Sequence, residues 1–155
     1  HYFIFHSKMQ KRGFLMNNSL HHMIMADHTL FQKDLLGRIR NTGLTSGQPK
    51  VLEYLLSHDG SVQKELATAC YIEPATLTSV LNGMEKKGLI QRKTENQNRR
   101  SLHVYLTPKG RTQAQEVNKA FASLEEKALQ NFTRQEQKQL MDLLQKIHYN
   151  MKETS

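Results

Sequence analysis

A mainly α fold carrying one small β-hairpin is what the sequence predicts, and three observations carry it. Apolar residues recur at three- and four-residue intervals along most of the 155 residues. A single segment, Leu89 to Thr107, instead breaks into two short alternating runs around seven polar residues, "TENQNRR". Gly, Pro and capping signals divide the helical part into six pieces, two of them separated only by a short turn.

The first helix is expected from Leu20 to Arg40, with Leu20, Met23, Ile24, Leu30, Phe31, Leu35, Leu36 and Ile39 on one side and "NTGL" ending it. The second opens at Thr45 as N-cap with Gln48 as reciprocal capping partner, tolerates Pro49 in its first turn, and stops at Asp59-Gly60. "SVQKELATAC" reads as a short third helix burying Leu66, Ala67 and Cys70. The fourth starts with Pro74 at its favoured first position and ends at Gly88. It turns Leu77, Val80, Leu81 and Met84 inward and Ala75, Thr76, Ser79 and Asn82 outward. Third and fourth helices, joined by the few residues around Tyr71 and Ile72, have the form of a helix-turn-helix.

The two runs "LIQRK" and "SLHVYLT" pair as a hairpin, with Leu102, Val104 and Leu106 on its apolar side. Its loop, Thr94 to Arg100, is too long for a two-residue turn and too polar to be buried, so it projects outward. After Thr107-Pro108 a fifth helix carries the seam Ala114, Val117, Phe121, Leu124 and Ala128, which requires a partner. A sixth opens at a capping box from Thr133 to Glu136 and buries Leu140, Leu143, Leu144, Ile147 and Met151. Both seams are expected to be covered largely by a second copy of the chain.

Charge singles out the middle of the molecule. Lys and Arg number 22 against 14 Asp and Glu, a net charge of +8. Nine basic and four acidic residues lie between Ser61 and Arg111, so five of those eight charges sit where the helix-turn-helix and hairpin are. A surplus of that kind suits a polyanion, nucleic acid or anionic membrane. One cysteine leaves no internal disulfide and no thiolate-rich zinc site, and makes a reducing, cytoplasmic setting the default. The leading "HYFIFHSKMQKRGFL" has an apolar run of only five residues, too short for a membrane anchor. Residues 1–15 are read as a leader of foreign or upstream-translated origin.

The runs "GLTSGQPKVLEYL" and "QKELATACYIEPATLTSVLNGMEKKGLIQRKTENQNRRSLHVYLTPKG" together resemble the multiple-antibiotic-resistance regulator (MarR) family of bacterial winged-helix repressors. The likeness extends from Leu20 to the C-terminus. It implies a winged helix-turn-helix lobe over 45–107 and a helical dimerisation lobe built from 16–44 and 108–155. It further implies a homodimer on a pseudo-palindromic double-stranded DNA operator, a small-molecule effector between the lobes, no cofactor and no catalysis. The residues expected to meet DNA are Thr76, Thr78, Ser79, Asn82 and Lys86 on the fourth helix and Arg99 and Arg100 in the wing, Arg100 standing where the family has its minor-groove arginine. Two departures stand out: the wing holds Asn98-Arg99-Arg100 where the family often has Asp-x-Arg, and Ser79 stands where the family often has an arginine.

Other classes leave weaker traces. No Gly-rich phosphate loop, Gly-x-Ser-x-Gly turn or His-Glu-x-x-His occurs. His21 and His28 are seven apart, adjacent His21 and His22 point in different directions, and no cysteine or close carboxylate cluster joins them, so no metal is expected. Cys70 opens a thiol-sensing alternative, against which stands the ordinary role of a lone buried cysteine as a small hydrophobe. A winged helix serving as a protein-binding module is the rival from another class. Such a module favours apolar or acidic residues where this chain has Thr76, Ser79, Asn82, Arg99 and Arg100.

Overall fold

The computed structural model describes residues 19–95 and 101–153, and the chain divides into two compact units, His1–Asp34 and Leu35–Ser155. Of the first unit, the described part is Ser19 and the leading stretch of helix α1 (Leu20–Arg38). The second holds the end of α1, a 3-10 turn (Arg40–Thr42), α2 (Gln48–Ser57), β1 (Ser61–Val62), α3 (Gln63–Ala69), α4 (Pro74–Lys86), β2 (Ile90–Thr94), β3 (Leu102–Leu106), α5 (Pro108–Ala128) and α6 (Arg134–Glu153).

The core of the second unit is where α2, α3, α4 and α5 converge on the sheet. Leu52, Leu55, Leu66, Leu81, Met84 and Val104 are all fully buried there. Each such side chain contributes about 1.5–3 kcal/mol through removal from water. α4 ends as its sequence signals: Gly88 at φ 72 lets its own N–H reach the Glu85 carbonyl and the Leu89 N–H reach that of Met84, closing the last turn.

The structure corrects several expectations. The "SV" assigned to the start of the third helix is a strand: Ser61 and Val62 pair antiparallel with Val104 and His103, so the sheet has three strands in the order β1-β3-β2 rather than two. The outer edge of β3 offers backbone groups that a two-residue strand can satisfy, and Gly60 extends the pairing by donating to the Val104 carbonyl at 2.8 Å. Thr94 belongs to β2, opposite Leu102, and Ser101 lies outside β3, so the connection between the strands spans 95–101, shifted by one residue from the expected Thr94 to Arg100. Leu102, at that outer end, lies beyond the core and is exposed, leaving Val104 as the one fully buried residue of its strand.

α2 begins at Gln48 with Gly47, not Thr45, as its N-cap. The expected reciprocal cap is half formed: the Thr45 N–H donates to Gln48 Oε1 at 3.1 Å, but that oxygen also accepts from Lys87 Nζ at 2.9 Å. The buried Gln48 amide is thus drawn into a link between the start of α2 and the end of α4, a tertiary demand that overrides the local motif.

The two C-terminal seams part company. Ala114, Val117 and Leu124 of α5 are already buried inside the chain, chiefly against α2, and need no second copy; Phe121 is half-buried and Ala128 exposed. The expectation that this seam is covered between chains therefore fails. In α6 the capping box is complete, Thr133 N–H to Glu136 Oε2 at 2.8 Å and Glu136 N–H to Thr133 Oγ1 at 3.1 Å. Its apolar side, by contrast, is not buried within the chain: Leu143 and Leu144 are 59% and 44% exposed, and Met151 68%. In α1 the expected inward side is covered only towards its end, at Leu35 and, just beyond it, Ile39; Leu20, Ile24, Leu30 and Phe31 are exposed.

The run "LTPKG" explains itself at the junction of the hairpin with α5. Thr107 Oγ1 caps the helix by accepting from the Gly110 N–H at 3.0 Å and donates to the Gly88 carbonyl at 2.6 Å. Pro108 takes the first turn, and Lys109 Nζ reaches the Lys87 carbonyl at 2.8 Å. Gly110 lies so close to β2 that an added Cβ would sit 1.8 Å from the Leu89 carbonyl oxygen. Gly110→Ala is therefore expected to lower unfolding free energy by about 3 kcal/mol, the upper end of ordinary overpacking, or to prevent folding. Denaturant titration checks this, and a stability within about 0.5 kcal/mol of the parent would refute the close approach.

Candidate nucleic-acid interface

The turn between α3 and α4 is short because one non-glycine residue accepts a left-handed conformation. Tyr71 has φ 52, and the buried Ile72 then donates to the Ala67 carbonyl at 3.0 Å, anchoring the chain before Glu73 and Pro74 start α4. Leu77, Leu81 and Met84 fix the rotation of α4 about its axis by burying one side. Residues 75, 79, 82 and 86, spaced four, three and four, then form the opposite strip.

Thr76, Thr78, Ser79, Asn82 and Lys86 are all exposed, as the sequence predicts, with Ser79, Asn82 and Lys86 on the strip and Thr76 and Thr78 flanking it. Thr78 Oγ1 donates back to the Pro74 carbonyl at 3.1 Å, so its hydroxyl is oriented by its own helix. Asn82 Oδ1 accepts from Arg92 at 2.7 Å. Arg99 and Arg100 lie outside the described residues.

The base of the wing is fixed by a polar group that sequence reading did not single out. Glu95 accepts from the Tyr105 hydroxyl and stands 3.8 Å from His103 Nε2, while His103 Nδ1 is 2.8 Å from the Gly60 carbonyl. Lys93 Nζ lies 5.5 Å from the centre of the Tyr105 ring. Tyr105, His103 and Lys93 come from facing strands, so cross-strand pairing alone brings them together.

The basic surplus is only partly available to a ligand. Lys87 Nζ is turned to the Gly43 carbonyl and Gln48, Lys109 to the Lys87 carbonyl, Arg111 to Asp59 at 3.0 Å, and Arg92 to Asn82 and Glu85. Four of the nine basic residues counted between Ser61 and Arg111 thus hold the fold together, and the outward charge of α4 rests on Lys86.

Cys70 caps α3 and is 7% exposed, its thiol 3.7 Å from the Lys50 carbonyl. Burial pushes the thiol above its ordinary range, which keeps it protonated and poorly nucleophilic near neutrality. It lines a cavity of about 480 Å³ between α2 and the turn, together with Lys50, Glu53, Tyr54 and Tyr71. Among the described residues no three His, Cys, Asp or Glu side chains converge as a metal site, and no helix is long and apolar enough to cross a membrane. Alkylation of Cys70 by iodoacetamide at pH 8 should be at least about tenfold slower in the native protein than in denaturant, given the raised pKa and burial. Equal rates would reopen the thiol-sensing alternative.

Residues 44–102 match the sequence pattern of the MarR family. The chain is 27% identical over 121 residues to the HTH-type transcriptional regulator BilQ of Clostridium symbiosum (strain WAL-14163), covering 78% of this chain and 82% of BilQ. To the uncharacterized HTH-type transcriptional regulator YwoH of Bacillus subtilis (strain 168) it is 29% identical, over 76% of this chain and 85% of that protein. Its fold superposes with a TM-score of 0.76 on the transcriptional repressor CouR solved with a 23-mer DNA duplex, at 27% identity and with 84% and 92% of the two chains covered. The family pattern over the helix-turn-helix and the hairpin, with like folds over most of the length, makes the chain similar to the MarR family and to HTH-type transcriptional regulators.

Proposed function

We propose that the chain is a cytoplasmic, homodimeric repressor that binds a pseudo-palindromic double-stranded DNA operator and releases it in response to a small molecule. The observation that carries this reading is the exposed strip of α4: Ser79, Asn82 and Lys86, with Thr76 and Thr78 at its flanks, are short hydrogen-bonding side chains followed by a cation. A helix with that surface suits the major groove, where each base pair presents its own set of donors and acceptors. Arg99 and Arg100 then belong at the adjoining minor groove or its phosphates. A protein-binding winged helix would instead expose apolar or acidic groups on this strip.

The uncovered apolar side of α6 supports the dimer. Exposed Leu143, Leu144 and Met151 would cost about 25 cal/mol for each Å² of apolar surface left in water, and a second copy of the helical lobe, residues 16–44 and 108–155, removes that cost. The likeness to a DNA-bound repressor supports the mode of action. The cavity beside Lys50, Tyr54 and Tyr71 supports an effector, since it abuts the turn that aims α4. Such a ligand acts only through a difference in affinity between the DNA-competent and other arrangements.

Replacing both Arg99 and Arg100 with alanine is expected to weaken binding to specific and random duplexes alike. It should also flatten the plot of log affinity against log salt by about one unit for each phosphate no longer neutralised. Fluorescence anisotropy over a salt series measures both. Unchanged affinity and slope would remove the wing from the DNA interface and favour the protein-binding reading. Light scattering at micromolar concentration should give twice the chain mass, and a clean monomer would contradict the dimer.

A further inference from the structure

Arg92 stands on β2 behind α4, and its guanidinium reaches that helix twice. Nη2 donates to Asn82 Oδ1 and to Glu85 Oε2, both at 2.7 Å. The side chain is well covered, 17% exposed, whereas Glu85 is 43% exposed. An arginine has donors and no acceptor, so the carboxamide atom that faces it must be the oxygen; turning the amide over would set its N–H groups against a cation. Glu85 holds the guanidinium in place with a charge-assisted bond, and that bond keeps the Glu85 carboxyl below the usual carboxylate range. The interaction is tertiary, since Arg92 lies ten residues beyond Asn82 and on another element.

Asn82 is on the strip of α4 that faces away from the core. An unrestrained asparagine there would pair with adenine, using its oxygen for the N6 amino group and its nitrogen for N7. With the oxygen held by Arg92, the Nδ2 hydrogens are the outward part of the amide. Guanine, which offers acceptors at both O6 and N7, suits that arrangement, and the N6 donor of adenine opposes it.

We propose that Arg92 is a positioning residue for base recognition: by binding the Asn82 carboxamide oxygen it presents Asn82 as a donor and sets α4 to prefer guanine over adenine at the base pair Asn82 meets. The inference rests on α4 being the helix that enters the major groove. Glu85 completes the device by fixing Arg92 and offsetting its charge. Arg92 itself touches no base.

The test reads a ratio of affinities. Selection from random duplexes with the parent protein and with Asn82→Ala identifies the base pair whose preference Asn82 sets. Two duplexes differing only there, G·C against A·T, are then titrated with the parent, Arg92→Met and Glu85→Gln. The parent should favour the guanine duplex by roughly tenfold. Arg92→Met should bring the ratio to about one or reverse it towards adenine, while Glu85→Gln, which loosens Arg92 without removing it, should move it the same way by less. Circular dichroism confirms that each variant is folded, and if Arg92→Met is not, Glu85→Gln carries the test. A parent preference for adenine, or a ratio unmoved by the folded variants although Asn82→Ala abolishes it, would overturn the proposal. Failure of the parent to bind any duplex would instead defeat the DNA-binding reading beneath it.

Discussion

The joint where α4 ends and α5 begins determines how the rest of the lobe can be arranged. Three successive carbonyls, those of Lys87, Gly88 and Leu89, accept from Lys109 Nζ, the Thr107 hydroxyl and the Thr107 N–H respectively. These groups close the last turn of α4, return the hairpin to its root and cap α5 at one place. Because Gly110 sits against the Leu89 carbonyl with no room for a Cβ, the backbones meet directly rather than through adjustable side chains. The root of the hairpin is therefore held at a fixed offset from α4, which is the geometric condition for one rigid element to address two neighbouring features of a duplex.

On this frame, charge and shape divide their work. Lys87, Arg92, Lys109 and Arg111 look on paper like a phosphate-binding surface, but each is bound to the protein's own carbonyls or carboxylates. Their partners are themselves at element ends: the Gly43 carbonyl after the 3-10 turn, Asp59 after α2, and Glu85 in the last turn of α4. Positive charge at the C-terminal end of a helix is favourable, so such placements stabilise the frame whatever the ligand. Apart from Lys86, the outward candidates on α4, Thr76, Thr78, Ser79 and Asn82, are polar and short, a surface suited to reading hydrogen-bond patterns at close range.

Much of this was legible in the sequence, for identifiable reasons. The inward side of α4 and the capping box of α6 depend on residues within a few positions of one another, and a single chain suffices to see them. β1 could not be seen, because two residues show no alternation and Ser61–Val62 becomes a strand only where the edge of β3 is available. The two C-terminal seams have the same spacing, yet α5 is covered by α2 within the chain and α6 is not; periodicity declares that a face will be covered without naming what covers it. The exposed candidates Thr76, Thr78, Ser79, Asn82 and Lys86 were reachable by counting round a helix. That Asn82 is gripped by Arg92, and that Gln48 serves Lys87 as well as its own turn, are long-range facts that local reading cannot supply.

The outward strip of α4 and the wing are proposed to act together on duplex DNA from this joint. An amide NMR titration of the isotopically labelled protein with a selected duplex tests it most directly, because it reports on every element at once. The largest shifts are expected within Ala75–Lys86 and in the loop between Thr94 and Leu102, while the core positions Leu55, Leu66 and Val117 move little. Shifts concentrated on α6 or around the cavity beside Cys70, with α4 and the wing unperturbed, would contradict it.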